Sequence, residues 1–460
     1  MLLSQKIKAL PGSYGVDRGN KVIIWHIPSE DSFSSLNTEI EFDYVYQFLK
    51  KNSALSYDQA FELTHEADKY TLYLTKLPVV KVAFDEVKLG TNKKIPGCLK
   101  YYEKETLVES IIGIRQRGNL SLGFPKKSYD IEVWKDSISK ENKDIKVKGL
   151  RSDDDWILDG LYNEPLRLRS TVAIQLWTDI HKVYYHEEEP KAINGFKVEF
   201  VELFRNSEYI GLYSLSESVD RKQLQLKKPN GKEIYGELFK ANSYEGGPSF
   251  KKAGEYNNIF PHYLGFKMEY PIIDYNSHWD GLSKLLDLVV NSSDATFKEK
   301  IAKEIHLPNA IDYFIYINLL RATDNFGKNY YLAKYDLDKP YFFVPWDVDG
   351  VFGIIQHGKR IRTTNDILSN HLFDRLLQLN PNHFNDNLKQ RWKDLRENEF
   401  SKINILARFQ KFHDHFTAEK IYEREYNLWK NEIIKEDDFD YLNEWIIDRL
   451  GFLDTYFKDL

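Results

Sequence analysis

The spacing of apolar and polar positions changes several times along the chain, and each change marks a different kind of element. From Leu77 the apolar residues run together or alternate, in Val79-Val-Lys-Val-Ala-Phe84 and Ile111-Ile-Gly-Ile-Arg115, which predicts strands. Further on, Tyr129, Ile131 and Val133 share one face by the two-residue period. Residues 196–204 and 209–215 predict a hairpin across Asn206-Ser207, which leaves through Ser216-Glu217-Ser218 into a short helix. Residues 236–241 form another strand, followed by a Gly- and Ser-rich stretch, 242–254, that reads as a mobile loop. Helical spacing appears over 165–181, where Leu168, Val172, Leu176 and Ile180 make one stripe and Pro165 suits the first turn. It returns from about Ser277, first in a buried helix around Ile311, Phe314, Ile315 and Ile317. Helices are then expected over 370–379, 383–396, 402–416, 418–434 and 438–457. The first 75 residues predict a strand at 21–26, a polar loop and two helices, over 41–50 and 58–69, the second capped by Ser56.

Strands first and helices later predict an α+β chain. At 460 residues it is long enough for more than one core. An aromatic content of 15% argues against disorder. A net charge of −6, with 64 basic residues against 70 acidic, gives no case for nucleic acid or an anionic membrane. The single cysteine, Cys98, excludes an intrachain disulfide and a cysteine-ligand metal cluster. No apolar run approaches transmembrane length, and the N-terminus lacks the apolar core of a signal peptide. As written, the chain is expected in the cytoplasm, or exported if a leader preceded this numbering. The histidines form no metal-binding pattern, since His413 and His415 leave one helix on different faces.

Chemistry concentrates at 321–350. Two aromatic and β-branched runs, 330–334 and 341–344, flank Asp336-Leu-Asp-Lys-Pro340, which is turn chemistry. A turn centred between Leu337 and Asp338 sets Asn329 opposite Trp346. The open end of the hairpin then carries Asn329 and Asp347, with Asp324 in the preceding loop. Two such oxygen ligands suit Mg²⁺, and Asp324 is placed to take a proton from a bound hydroxyl. D-x-x-x-x-N followed by a strand pair and an Asp is the phosphoryl-transfer layout of protein kinases, although Ala322-Thr323 replaces their His-Arg. A purely structural hairpin, with Asp and Asn as turn formers, is the competing reading. By parity with Tyr129, Lys127 faces inward and Lys126 outward, and an inward ammonium needs an anion such as a nucleotide phosphate. The turn at 117–123 offers backbone N–H groups with Arg117 and Ser121 to the same phosphates. A lysine snorkelling at a sheet edge is the alternative. Neither Gln175 nor Asp179 convincingly supplies the helix glutamate that pairs with a kinase's strand lysine, and Glu164 lies just before the helix. The basic segment 356–365, with His357, Lys359, Arg360 and Arg362, reads as a solvated loop at the place of an activation segment.

Taken together, R-G-N-x-S-x-x-F-P-K-K-S-Y from Arg117, D-W-I-L-D-G from Asp155, Y-I-G-L-Y-S-L-S-E-S-V-D-R from Tyr209, Asp324-Asn325 with Asn329-Tyr-Tyr-Leu, P-W-D-V-D-G from Pro345, L-F-D-R-L-L-Q-L-N-P and R-W-K-D-L-R resemble the spore coat protein H (CotH) kinase family over roughly 77–455. The resemblance implies an atypical two-lobed kinase-like fold with a β-rich N-lobe at 77–217, a mainly helical C-lobe at 218–460, and an N-terminal extension at 1–76. It also implies ATP with Mg²⁺ or Mn²⁺ and Ser/Thr acceptors on a protein substrate. The family's catalytic Asp falls on Asp324 and its metal-binding Asp on Asp347. Asn329 takes the second metal position by the kinase spacing. Lys127, Arg117 and Ser121 are expected at the phosphates, and Glu217 at the exit that would serve as the adenine hinge. Kinase-like folds also carry AMP-transferring enzymes and non-catalytic binding modules, and these stay open at the level of sequence.

Overall fold

The structure is a computed structural model that describes residues 6–29, 39–50, 54–147, 149–231, 233–255, 260–276, 278–430 and 437–460. It is α+β, and its chain divides into two compact units, 1–163 with 197–218 and 410–434, and 164–196 with 219–409 and 435–460. Among the described residues no helix is long and apolar enough to cross a membrane.

The first unit contains a closed barrel. Its strands, in order around the barrel, are Thr106–Arg117, Ser128–Trp134, Asp155–Asp159, Glu208–Glu217, Val198–Arg205, Val79–Phe84 and Ile95–Glu103. Period-2 alternation sends Ile112 and Ile114, Tyr129, Ile131 and Val133, Trp156 and Leu158, and Val201 and Leu203 into one buried cluster. That interior takes alternate side chains from each strand, while Val198–Arg205 and Glu208–Glu217 are buried on both faces.

The N-terminal residues of the same unit make a second sheet. Among the described residues its strand order is Ile7–Lys8, Glu39–Glu41, Val45–Phe48, Ala60–His65, Asp68–Thr75, Val22–His26 and Tyr14–Asp17. The helices expected over 41–50 and 58–69 are therefore strands. Phe61 pairs with Leu72 and Leu63 with Tyr70, and all four are buried. Alternation at Phe61 and Leu63 outweighed the helical spacing, as happens in short apolar runs where the two periods overlap. Part of the polar loop expected after His26 lies outside the described residues.

The second unit holds a sheet ordered His262–Tyr263, Phe266–Tyr270, Glu237–Ala241, Tyr330–Lys334 and Tyr341–Pro345. Against it packs the helix Leu307–Leu320, whose residues from Asn309 onward are all buried, as expected of a helix that is apolar all round. Tyr313 stacks on Phe343 with ring centroids 4.5 Å apart. Asn309 grips the neighbouring strand by accepting from the Phe343 N–H at 2.6 Å and donating to its carbonyl at 3.0 Å. The helix expected over 165–181 starts later, at Arg169, and runs to Ile180. Glu164 precedes it and accepts from the N–H groups of Leu166 at 3.0 Å and Arg169 at 3.2 Å, as well as from Leu168. It also pairs with the Arg169 guanidinium, so its carboxylate is committed to the start of its own helix.

Later helices run Asp280–Asn291, Asp294–Glu304, His371–Leu379, Phe384–Glu397 and Asp438–Asp459 in this unit; Lys402–Ala418 spans the start of the 410–434 segment, and Ile421–Trp429 lies within it, in the first unit. The expected helix over 418–434 is interrupted at Lys420, which has a positive φ of 55°. Its last residues, like Ser277, lie outside the described set.

Candidate active site

The hairpin register follows the turn chemistry. Tyr330 pairs with Pro345 and Lys334 with Tyr341, and beyond the last pair the Trp346 N–H donates to the Asn329 carbonyl at 3.1 Å. Asn329 and Asp347 both turn through positive φ, 57° and 53°, a region Asn and Asp tolerate better than most residues. These turns end the two strands side by side. Asp324 reaches the same place because the helix Leu307–Leu320 stops at Arg321, also at positive φ, whose N–H satisfies the last-turn carbonyls of Ile317 and Asn318. Arg321 is held there by Asp366, at 2.9 and 2.7 Å.

The backbone brings the three residues to one end of the hairpin in the second unit. The Asn329 amide nitrogen lies 3.5 Å from Asp324 Oδ2, and Asp347 is exposed. Two carboxylates and one amide, with no nitrogen or sulfur ligand among them, fit a hard cation such as Mg²⁺ or Mn²⁺.

Three neighbours complete the site, and sequence reasoning did not single them out. Asn325, 2% exposed, ties the strand ends together by donating to the Asn329 carbonyl at 2.7 Å and the Trp346 carbonyl at 2.8 Å. Lys328 Nζ pairs with Asp324 Oδ2 at 2.9 Å. The Tyr244 hydroxyl donates to Asp324 Oδ1 at 2.7 Å. Burial, with the Asp324 charge beside it, raises the Tyr244 phenol well above its ordinary pKa, so it stays protonated and a donor. The four-residue separation of Lys328 from Asp324 was a readable signal; nothing in the sequence pointed to Tyr244. Replacing Asn325 by Ala leaves the buried Trp346 carbonyl without that donor. A stability loss of about 1–3 kcal/mol is expected, checked by the denaturant midpoint, together with weaker metal binding as the strand ends separate.

In the first unit the lysine pair reads opposite to the sequence expectation. Lys126 is 1% exposed, whereas Lys127 is half-buried and its Nζ meets the Leu122 carbonyl at 2.7 Å. The parity argument failed because the strand begins at Ser128, so both lysines precede it and the two-residue period does not reach them. Lys126 Nζ is held by both Glu425 oxygens at 2.9 Å and by the Leu212 carbonyl, and it lies over the Tyr213 ring at 4.7 Å. Glu425 belongs to the helix Ile421–Trp429. Its Oε1 also accepts from the Leu212 N–H at 2.7 Å, and Gly211 leaves the room it needs, since a Cβ there would fall 1.9 Å from that oxygen. A strand-entry lysine thus pairs with a glutamate of the helix Ile421–Trp429.

Of the other expected nucleotide residues of the first unit, Arg117 and Ser121 share one turn and Glu217 ends another strand. Arg117 ends the strand Thr106–Arg117, and Ser121 Oγ donates back to its carbonyl at 3.4 Å. Glu217 is 1% exposed, and its carboxylate accepts from the Arg151 N–H at 2.6 Å and the Lys197 N–H at 3.0 Å, so it braces backbone at the strand end. Among the described residues, groups of three carboxylates close enough to share a cation occur at Glu132–Asp154–Asp155 and Asp144–Asp153–Asp154. Lys94 already lies 3.5 Å from Glu132 and 3.6 Å from Asp155. Burial pushes the Asp155 carboxyl up to about 6. In the second unit, Arg360 of the basic 356–365 segment pairs with Asp437 and Asp438.

Comparison with known proteins agrees with the resemblance. Over 267 residues the chain is 21% identical to the inner spore coat protein H of Bacillus subtilis (strain 168), an alignment covering 58% of this chain and 65% of that protein. The chain thus matches just under two thirds of that relative's own length. The family model described as CotH kinase protein matches residues 114–453, a span that includes Lys126, Asp324, Asn329, Asp347 and Glu425. The chain belongs to the CotH kinase protein family.

Proposed function

We propose that the chain is an ATP- and divalent-metal-dependent protein kinase that transfers the γ-phosphate to Ser or Thr hydroxyls of a protein, on a two-lobed kinase-like fold. The observation that carries this reading is the convergence of Asp324, Asn329 and Asp347 at the open end of one hairpin. Asp324 orients the acceptor hydroxyl and takes its proton. Asn329 and Asp347 hold the cation, which when bound neutralises phosphate charge. Lys328, on the opposite oxygen from Tyr244, supplies a positive charge beside the developing phosphoryl group.

The phosphate-contacting lysine of the first unit is assigned to Lys126 in place of Lys127, because protein kinases hold theirs in an ion pair with a helix glutamate and Lys126 has that partner. Lys127 anchors the 117–123 turn through the Leu122 carbonyl, where Arg117 and Ser121 remain candidates for phosphate contact.

The test is thermal melting with nucleotide and metal. A ligand at about a hundred times its dissociation constant adds roughly 2.7 kcal/mol of stability, so Mg-ATP or Mn-ATP should raise Tm clearly and ATP with chelator much less. Equal shifts would remove the metal assignment. Mass analysis of a modified acceptor then identifies the group transferred; an AMP adduct in place of phosphate would overturn the kinase reading.

A further inference from the structure

We propose that Tyr244 is the chain's own acceptor, a tyrosine phosphorylated in cis at the Asp324 site; the inference rests on the kinase reading above. The Tyr244 hydroxyl donates to Asp324 Oδ1 at 2.7 Å, within the reach required of a hydroxyl about to lose its proton to a general base. Two neighbours of Asp324 lie against the ring. Gly327 lies beneath it, where a Cβ would come within 2.9 Å of the ring carbon Cε1, and Lys328 Nζ stands 5.1 Å from the ring centroid while pairing with the other oxygen of Asp324.

The loop that carries Tyr244 is anchored, not mobile as its composition suggested. Asn242 and Ser243 donate to the Gly265 carbonyl at 2.8 and 3.1 Å, and Gly247 to the Leu264 carbonyl at 2.9 Å. Phe250 is fully buried, and Tyr330 donates to the Pro248 carbonyl. Tyr244 itself is 57% exposed. A fixed backbone therefore delivers one exposed phenol to one carboxylate oxygen, and rotation of that side chain alone withdraws it.

In the transfer, the phenolic oxygen forms a bond to the γ-phosphorus of ATP, the bond from that phosphorus to the β,γ-bridging oxygen breaks, ADP leaves, and the phenol proton passes to Asp324. The product carries about −1.5 to −2 charge next to a carboxylate. Repulsion moves the ring off Asp324 and frees it for an external hydroxyl, so transfer to other proteins follows a lag that prior incubation with Mg-ATP removes.

The experiment maps phosphopeptides of the full chain after incubation with Mg-ATP, with casein as external acceptor. Phosphotyrosine at 244 is expected, forming with a rate constant unchanged on serial dilution, and absent in Asp324→Asn. In nucleotide-free protein, hydrogen exchange of the 242–247 amides should quicken in Tyr244→Phe, since the hydroxyl tether is lost. Casein phosphorylated while Tyr244 stays unmodified overturns this inference and leaves the kinase reading standing. So does a rate that falls on dilution, or exchange identical in the two proteins. No phosphate on either casein or the chain itself removes the kinase reading, and this inference with it.

Discussion

Asp324→Asn is expected to lower phosphate transfer by about 10²–10⁴-fold, the usual weight of a positioned general base, while leaving ATP affinity nearly intact. The substitution keeps the side chain's shape, and an amide oxygen can still accept from Lys328 or Tyr244, so the loop from Ala322 to Asn329 stays formed. What is lost is the proton acceptor and the charge that orients the hydroxyl. Asp347→Ala should fail differently. Asp347 is exposed and follows Trp346 at the strand end, so its removal takes a metal ligand, and affinity for Mg-ATP and turnover fall together. Steady-state kinetics beside a direct nucleotide-binding measurement separates the two. An Asp324→Asn protein that phosphorylates casein as well as wild type would falsify the catalytic assignment.

The second large effect is expected at Lys126. Its ammonium and the Glu425 carboxylate are both fully buried, and removing one partner strands the other charge in the interior. Lys126→Met should therefore cost about 3–5 kcal/mol of stability, and Glu425→Met a comparable amount. Lys127→Met, at a half-buried ammonium with one carbonyl partner, should cost far less. A protein that merely unfolds would say nothing about nucleotide, so the informative variant is the double one. Lys126→Met with Glu425→Met replaces the pair by apolar side chains of similar volume, and such exchanges are often neutral or stabilising. Stability should recover in the double variant while ATP-dependent transfer does not. Recovery of both would make the pair a structural brace and return the phosphate contact to Lys127.

The constellation around the hairpin was legible before any coordinates because it is local. Turn residues at 336–340 flanked by two apolar runs leave little freedom of register, and a slip by one residue would send Tyr330, Leu332, Phe343 and their neighbours to the wrong face. Asn329 and Asp347 could thus be set side by side from the chain alone, and Asp324 followed from its distance along the sequence. Asn325 lay within the same stretch and went unassigned, since nothing in composition distinguishes a strut from a solvated side chain.

The sequence by itself determined five of the seven barrel strands (not Ile95–Glu103 or Asp155–Asp159), the hairpin register and the family, because each rests on a period or a motif read over neighbouring residues. Tertiary structure decided the rest. It turned 58–69 from helix to strand by supplying Leu72 and Tyr70 as cross-strand partners, where the local pattern fitted both periods. It also reversed Lys126 and Lys127, because the carboxylate that takes Lys126 inside lies 299 positions away in the chain, beyond the reach of any strand parity. Tyr244 reached Asp324 from 80 positions upstream through a loop whose anchors are backbone carbonyls. Such partners are chosen by the need to pair buried charges and satisfy buried polar groups once the fold has closed, a need that spacing along the chain does not record.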